Sequence, residues 1–233
     1  MSPLPKCGRK GAVDLKVRSV ASASKASGLV LGLALLSSAA VLAVESDYTN
    51  PQSHFSVERP AELTAADAQG IYDRILDEVL RGYRLSGDPS AIAYRDWRRF
   101  NSAPYRSATH GERFVNNYGN MKGLAYARFE AAGEMPEGTV LAKDSFAVTD
   151  EGNIFTGPLF LMEKMEAGFN PASRDWRYSM IMPDGSLFGI TNGQGSTRVE
   201  FCVTCHETAG DENDHLFFVP QDYRQARSEP KSE

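Results

Sequence analysis

Near the C-terminus of this 233-residue chain, Cys202-Val203-Thr204-Cys205-His206 sets two thiols three positions apart, with an imidazole directly after the second. This spacing is the pattern by which a c-type haem is attached covalently. Each thiol adds to one vinyl group of the porphyrin, and the histidine reaches the iron from one face through one ring nitrogen. The other nitrogen is left to donate to a carbonyl or carboxylate, which fixes the tautomer. A zinc site needs more ligands, but the remaining cysteine, Cys7, lies in a segment that reads as targeting sequence. A redox dithiol of the thioredoxin kind belongs in a βαβ setting, which the pattern of this chain does not show.

Charge separates the chain into two parts. Residues 1–44 carry Lys6, Arg9, Lys10, Lys16, Arg18 and Lys25 against Asp14 alone. The net charge of −5 therefore leaves −10 on the remainder. That sign disfavours nucleic acid as a partner, since phosphates attract the opposite charge. It suits a basic protein partner, although an acidic surface also serves solubility. Residues 28–44 are uncharged and largely apolar, and Val41-Leu42-Ala43 resembles a cleavage site. Residues 1–44 thus read as a secretory signal, or as an anchor in the cytoplasmic membrane if they are not cleaved. Export agrees with the haem motif, because bacterial c-type haem is attached outside that membrane. A periplasmic protein is expected.

Residues 45–61, with Pro51 and Pro60, read as a linker, and residues 226–233 as a disordered tail. Thr64 and Asp67 resemble a capping box. Ile71, Ile75, Leu76, Val79, Leu80 and Tyr83 then recur at helical spacing, and Gly82, Gly87 and Pro89 end the run. Residues 62–90 are therefore an N-terminal helical segment, expected to pack on the main domain or on a second subunit. Residues 91–225 form the haem domain. Strand-like runs fall at Ala93–Phe100, Arg113–Tyr118, Thr139–Val148, Ile154–Lys164 and Arg177–Met182. Asn116-Asn117, Glu151-Gly152-Asn153 and Pro183-Asp184-Gly185 read as turns between them, and Met121–Ala132 as a short helix. The fold class is α+β, a mainly antiparallel sheet with a few helices packing the haem.

The second face of the iron is either ligated by a side chain or open to a small molecule. Met162, Met165, Met180 and Met182 fall in or beside expected strands, where methionine is usually core. His54 lies in the linker, His110 in a loop, and His215 too near the motif to cross to the far face. An open site is the preferred reading.

The chain from residue 93 to 223 resembles the cytochrome P-460 family, which includes the cytochromes c′-β. The resemblance rests on Tyr94-Arg95-Asp96-Trp97, Gly111-Glu112-Arg113-Phe114-Val115-Asn116 and Pro136-Glu137-Gly138-Thr139-Val140-Leu141-Ala142-Lys143. It continues through Gly157-Pro158-Leu159-Phe160-Leu161-Met162-Glu163-Lys164, Asp175-Trp176-Arg177-Tyr178, the haem motif and Asp214-His215-Leu216-Phe217. It implies an antiparallel sheet with a haem against it, usually in a homodimer. In hydroxylamine-oxidising members a lysine is bonded to the haem edge, and the match falls on Lys143. A lysine among apolar neighbours loses its proton more readily, and a neutral amine is a nucleophile. Arg113 matches the distal arginine. The distal carboxylate of the family falls near Phe160, with Glu163 and Asp144 as the nearest acids. Glu163 is the expected catalytic one. A pocket lined by Phe160 and Phe146 instead suits nitric oxide.

Three functions follow. The first is oxidation of hydroxylamine, or of a related nitrogen compound, with electrons passed to a small cytochrome c. The second is binding or detoxification of nitric oxide. The third is plain electron transfer with methionine as sixth ligand.

Overall fold

The structure, a computed structural model, describes residues 63–225. The expected signal, linker and tail lie outside these residues. An eight-stranded antiparallel sheet organises the rest. Its strands are β1 (Arg98–Arg99), β2 (Tyr105–Ser107), β3 (Arg113–Gly119), β4 (Val140–Val148), β5 (Ile154–Thr156), β6 (Leu159–Lys164), β7 (Trp176–Ile181) and β8 (Leu187–Ile190). The main order is β1-β3-β4-β6-β7-β8, with β2 also paired to β3 and β5 to β4. The expected α+β class with a mainly antiparallel sheet is what the structure shows.

Helix α1 (Ala65–Arg84) covers one face of the sheet. Its capping box is complete: Thr64 Oγ1 accepts from Asp67 N at 3.2 Å, and the Asp67 carboxylate accepts from Thr64 N at 2.9 Å. Ala68, Ile71, Tyr72, Ile75, Val79 and Tyr83 are buried against Tyr118, Ala142, Phe146, Leu159, Leu161 and Ile181 of the sheet. Full burial of each aliphatic side chain there stabilises by roughly 1.5–3 kcal/mol. Pro89 then opens the short helix α2 (Pro89–Ala93), capped by Asp88.

Beneath α1 lies a buried polar knot. Asp144 is fully buried and accepts hydrogen bonds from Tyr72, from Tyr94 at 3.0 Å and from Asn116 at 2.9 Å. Arg95 donates to Tyr118, and Arg99 to Asn116. Burial pushes the Asp144 carboxyl up, while the three hydrogen bonds pull it back.

The second core lies on the other face. It joins Phe100, Tyr105, Val115, Tyr126, Met135, Leu141, Trp176, Tyr178, Leu216 and Val219. The segment Met121–Ala131 forms a 3₁₀ helix here, interrupted at Phe129. Helix α3 (Glu200–Glu207) carries the thiol–imidazole motif.

Several local expectations differ. Asn116 and Asn117 are not a turn but buried mid-strand residues of β3. Their amides are satisfied by Asp144, Asn101, Tyr105 and Tyr126, which removes the usual penalty for burying them. Ala93–Phe100 is mostly helical turn, with only Arg98–Arg99 in a strand. The run Ile154–Lys164 divides at Gly157-Pro158, because β4 hands its partner over from β5 to β6 there. A Cβ on Gly157 would lie 2.3 Å from Ser145 Oγ, so only glycine fits the crossing. The short strands β2 and β8 carry too little alternation to be read.

Gly82 gives a direct test of the α1 packing. Alanine in place of a helical glycine ordinarily stabilises by about 1 kcal/mol. Here a Cβ would meet the Pro183 carbonyl oxygen at 1.9 Å. Gly82→Ala should instead destabilise by about 2 kcal/mol, read as a lowered Tm in thermal unfolding.

Candidate haem site

The motif becomes one face of α3, because helical spacing of three and four residues brings Cys202, Cys205 and His206 together. The turn that leads into α3 is tied to β8. A Cβ on Gly189 would lie 2.4 Å from the Gly195 carbonyl oxygen, so the two backbones are in close contact. Cys202 and Cys205 are half-buried, and no disulfide joins them. Burial, with the second thiol beside it, pushes the Cys202 thiol up to about 12. A redox dithiol needs the opposite shift.

His206 is buried, and its Nδ1 donates to the His215 carbonyl oxygen at 2.8 Å. A carbonyl can only accept, so the proton is on Nδ1 and the Nε2 lone pair is presented to a metal. Burial, then the charge of Lys143, push His206 down to about 4. The ring is therefore neutral, as a ligand must be.

The carbonyl is itself held in place. Asp214 and His215 both adopt left-handed backbone conformations, with φ of 51° and 58°. Such residues cost about 1 kcal/mol or more each and persist only where surroundings enforce them. The enforcement comes from the fully buried Asp214 carboxylate. It accepts from Lys164 Nζ at 2.7 Å, Arg174 Nε at 3.0 Å and Met135 N at 2.9 Å. The Asp214 carbonyl accepts from Trp176 Nε1 at 2.9 Å.

Strand register decides which other side chains reach this site. Opposed residues Asn117, Lys143, Phe160 and Met180 form one row across the sheet, and Leu141, Met162 and Tyr178 the next row on the same face. The Tyr178 ring lies 5.1 Å from the His206 ring, so this face is the one α3 covers. Phe217 lies 5.4 Å from His206 on another side. The amine of Lys143 shares the site: its charge is felt by both His206 and His110. Burial pushes Lys143 down to about 8, with the Cys205 sulfur acting the other way. Its side chain keeps partial access to solvent.

These residues fit a haem on grounds of their own chemistry. Two thiols, one imidazole with a free Nε2 and an apolar wall stand together. The Tyr178 hydroxyl is buried beside the cysteines with no hydrogen-bond partner among the described residues. A buried orphan hydroxyl is costly unless a further group satisfies it.

Other expected residues fall elsewhere. Glu163 lies on the α1 side of the sheet, paired with Arg177. Strand alternation puts it on the opposite face from Lys143, so it does not line the site. Asp144 and Phe146 share that far face, the first inside the tyrosine knot and the second stacked on Phe114. Arg113 is half-buried opposite Ser107 at the start of β3 and within electrostatic reach of Tyr83; strand alternation from Asn117 puts it on the face of Lys143, at the edge beside the turn that carries His110. Met162 and Met180 share the face of Lys143. His110, expected in a loop, sits in the turn between β2 and β3. The structure brings its ring to 4.9 Å from Phe160 and 6.5 Å from His206. No local sequence signal announces that approach, which depends on the β2–β3 pairing.

Two outcomes test this geometry. In haem-free Cys202→Ala/Cys205→Ala protein, lysine ¹³Cε NMR should show one residue titrating near pH 8, lost in Lys143→Arg. The sign follows from burial: the ammonium is the desolvated form, so the amine is charged below that pH and neutral above it. Asp214→Ala should destabilise by about 3 kcal/mol in guanidinium unfolding, because the Lys164 ammonium stays buried without its carboxylate.

No curated protein matches the chain. The family model for cytochrome P460 matches residues 92–218, more than half of its length, over the sheet, the lysine strand and the thiol–imidazole helix. The chain belongs to the cytochrome P460 family, and is a haem protein of that kind.

Proposed function

We propose that the protein oxidises hydroxylamine, or a related small nitrogen compound, and passes the electrons to a small cytochrome c. One observation carries this reading: the Lys143 amine shares a site with Cys205 and His206, where burial pushes its pKa down to about 8. An amine with no hydrogen-bond or ion-pair partner among the described residues, and easily neutralised, is a competent nucleophile. Bonded lysine is the mark of the hydroxylamine-oxidising proteins that the sequence resembles. Replacing a ring C–H by C–N releases two electrons and two protons, so forming that bond needs a two-electron oxidant such as peroxide.

In this reading Cys202 and Cys205 would tether a c-type haem, and His206 Nε2 would hold its iron. The bound haem would supply the electron-accepting centre. Asp214, through the His215 carbonyl, keeps the imidazole in one tautomer and one orientation. Lys143 would bond to the ring, and Phe160, Phe217 and Tyr178 would keep water from it, which favours electron transfer without side reactions. Thioether attachment and the basic, then apolar, N-terminus support a periplasmic location. The balance of −10 beyond residue 44 supports a basic electron acceptor. A homodimer is supported by the family resemblance.

A second reading has its own support. Both acids named from the sequence, Glu163 and Asp144, lie on the far face of the sheet. A site walled by aromatic groups, and short of carboxylates among the described residues, suits nitric oxide, a small and weakly polar gas.

Steady-state assays separate the two. Haem-loaded protein should oxidise hydroxylamine with an artificial electron acceptor, and Lys143→Arg should slow it at least tenfold. Tight nitric oxide binding without any turnover would remove the first reading and select the second. Peptide mapping after denaturation should find haem joining the peptide of Lys143 to that of Cys202 and Cys205. Two separable peptides would refute the bond.

A further inference from the structure

The turn between β2 and β3 brings a second imidazole to the haem site, and nothing in the function above uses it. His110 follows Ser107, the last residue of β2, by three positions. Its backbone N–H donates to the Ser107 carbonyl at 3.3 Å. The Ser107 and Thr109 hydroxyls lie 2.9 and 3.1 Å from its Nδ1. Ser107 is buried and sits in register opposite Arg113, so the turn holding His110 is anchored at both ends by the sheet. The ring is wedged edge-on against Phe160 at 4.9 Å. No hydrogen bond among the described residues engages its Nε2.

His110 and His206 are thus matched in chemistry. Each has Nδ1 occupied by a protein oxygen and Nε2 left over. Their ring centres lie 6.5 Å apart, with the planes crossed at 72°. Metal–imidazole bonds are about 2 Å long, so two imidazoles on opposite sides of one metal hold their ring centres roughly 6 Å apart. A pair of core histidines packed for burial alone has no reason to keep that separation with both Nε2 atoms unused.

We infer that His110 is the second axial ligand of the haem iron in the resting, oxidised protein, facing His206 across the haem. This inference rests on the haem reading and is independent of the hydroxylamine activity. It replaces the open site expected from the sequence with one that is capped at rest. A small molecule reaches the iron only when the turn Thr109–Glu112 carries His110 away. Gly111 in that turn has a φ of 71°, and a Cβ there would meet no atom within 4 Å.

Low-temperature electron paramagnetic resonance and optical spectra of the oxidised, full-length holoprotein decide the matter. Wild type should be low-spin and six-coordinate, with the signature of two imidazoles. His110→Ala should be high-spin, should return to low-spin on adding free imidazole, and in the ferrous state should combine with carbon monoxide at least ten times faster. A high-spin wild type overturns the inference whether or not the variant accumulates. So does a low-spin spectrum that His110→Ala leaves unchanged, which would assign the sixth position to another side chain. Because spin state is read without substrate, a failure here is distinct from a failure to turn over hydroxylamine. Protein that matures without haem would overturn the inference together with the reading beneath it.

Discussion

The hydrogen bond from His206 Nδ1 to the His215 carbonyl is the interaction on which the site depends. It settles which nitrogen carries the proton, and so which nitrogen meets a metal. Its acceptor is a backbone atom in a stretch bent through two consecutive left-handed residues. That bend is unfavourable alone. It exists because Asp214, wholly buried, gathers Lys164, Arg174 and the Met135 amide onto one carboxylate. The buried charge is therefore compensated, and its compensation fixes the carbonyl of the next residue. Stability and ligand geometry share the same few atoms.

The sheet does the remaining sorting through its pleat. Lys143 and Asp144 are neighbours in sequence and sit in opposite chemical environments. Lys143 enters the haem face, where it has little to offset its desolvation. Asp144 enters the α1 face, where three donors meet it. One residue of register slip would exchange them. It would bury an amine among tyrosines and put a carboxylate beside the thiols. The paired asparagines of β3 resist such a slip, since Asn116 is bonded to Asp144 while Asn117 is bonded to Tyr105 and Tyr126 on the other side.

What could be read from the sequence follows from how local each signal is. The thiol–imidazole spacing lies within five residues, and the α1 stripe and cap repeat over three turns of helix. Strands β3, β4 and β7 were visible because their alternation runs long enough to stand out. The Asn116-Asn117 pair misled, because asparagine usually marks a turn and only tertiary partners make it acceptable inside a strand. Glu163 misled for a related reason. Distance along the chain placed it near the site, while alternation turned it to the other face. His110 was invisible as a site residue. Its approach to His206 spans nearly a hundred positions and needs β2, β3 and α3 all in place.

Everything proposed for the site needs one porphyrin bound covalently to the pair of cysteines on α3. Intact mass measurement of the denatured protein, matured in a host able to attach c-type haem, reads that bond. The mass should be that of the chain plus one haem, falling to the bare chain when both Cys202 and Cys205 are replaced by alanine. A bare chain from the unaltered protein would contradict it.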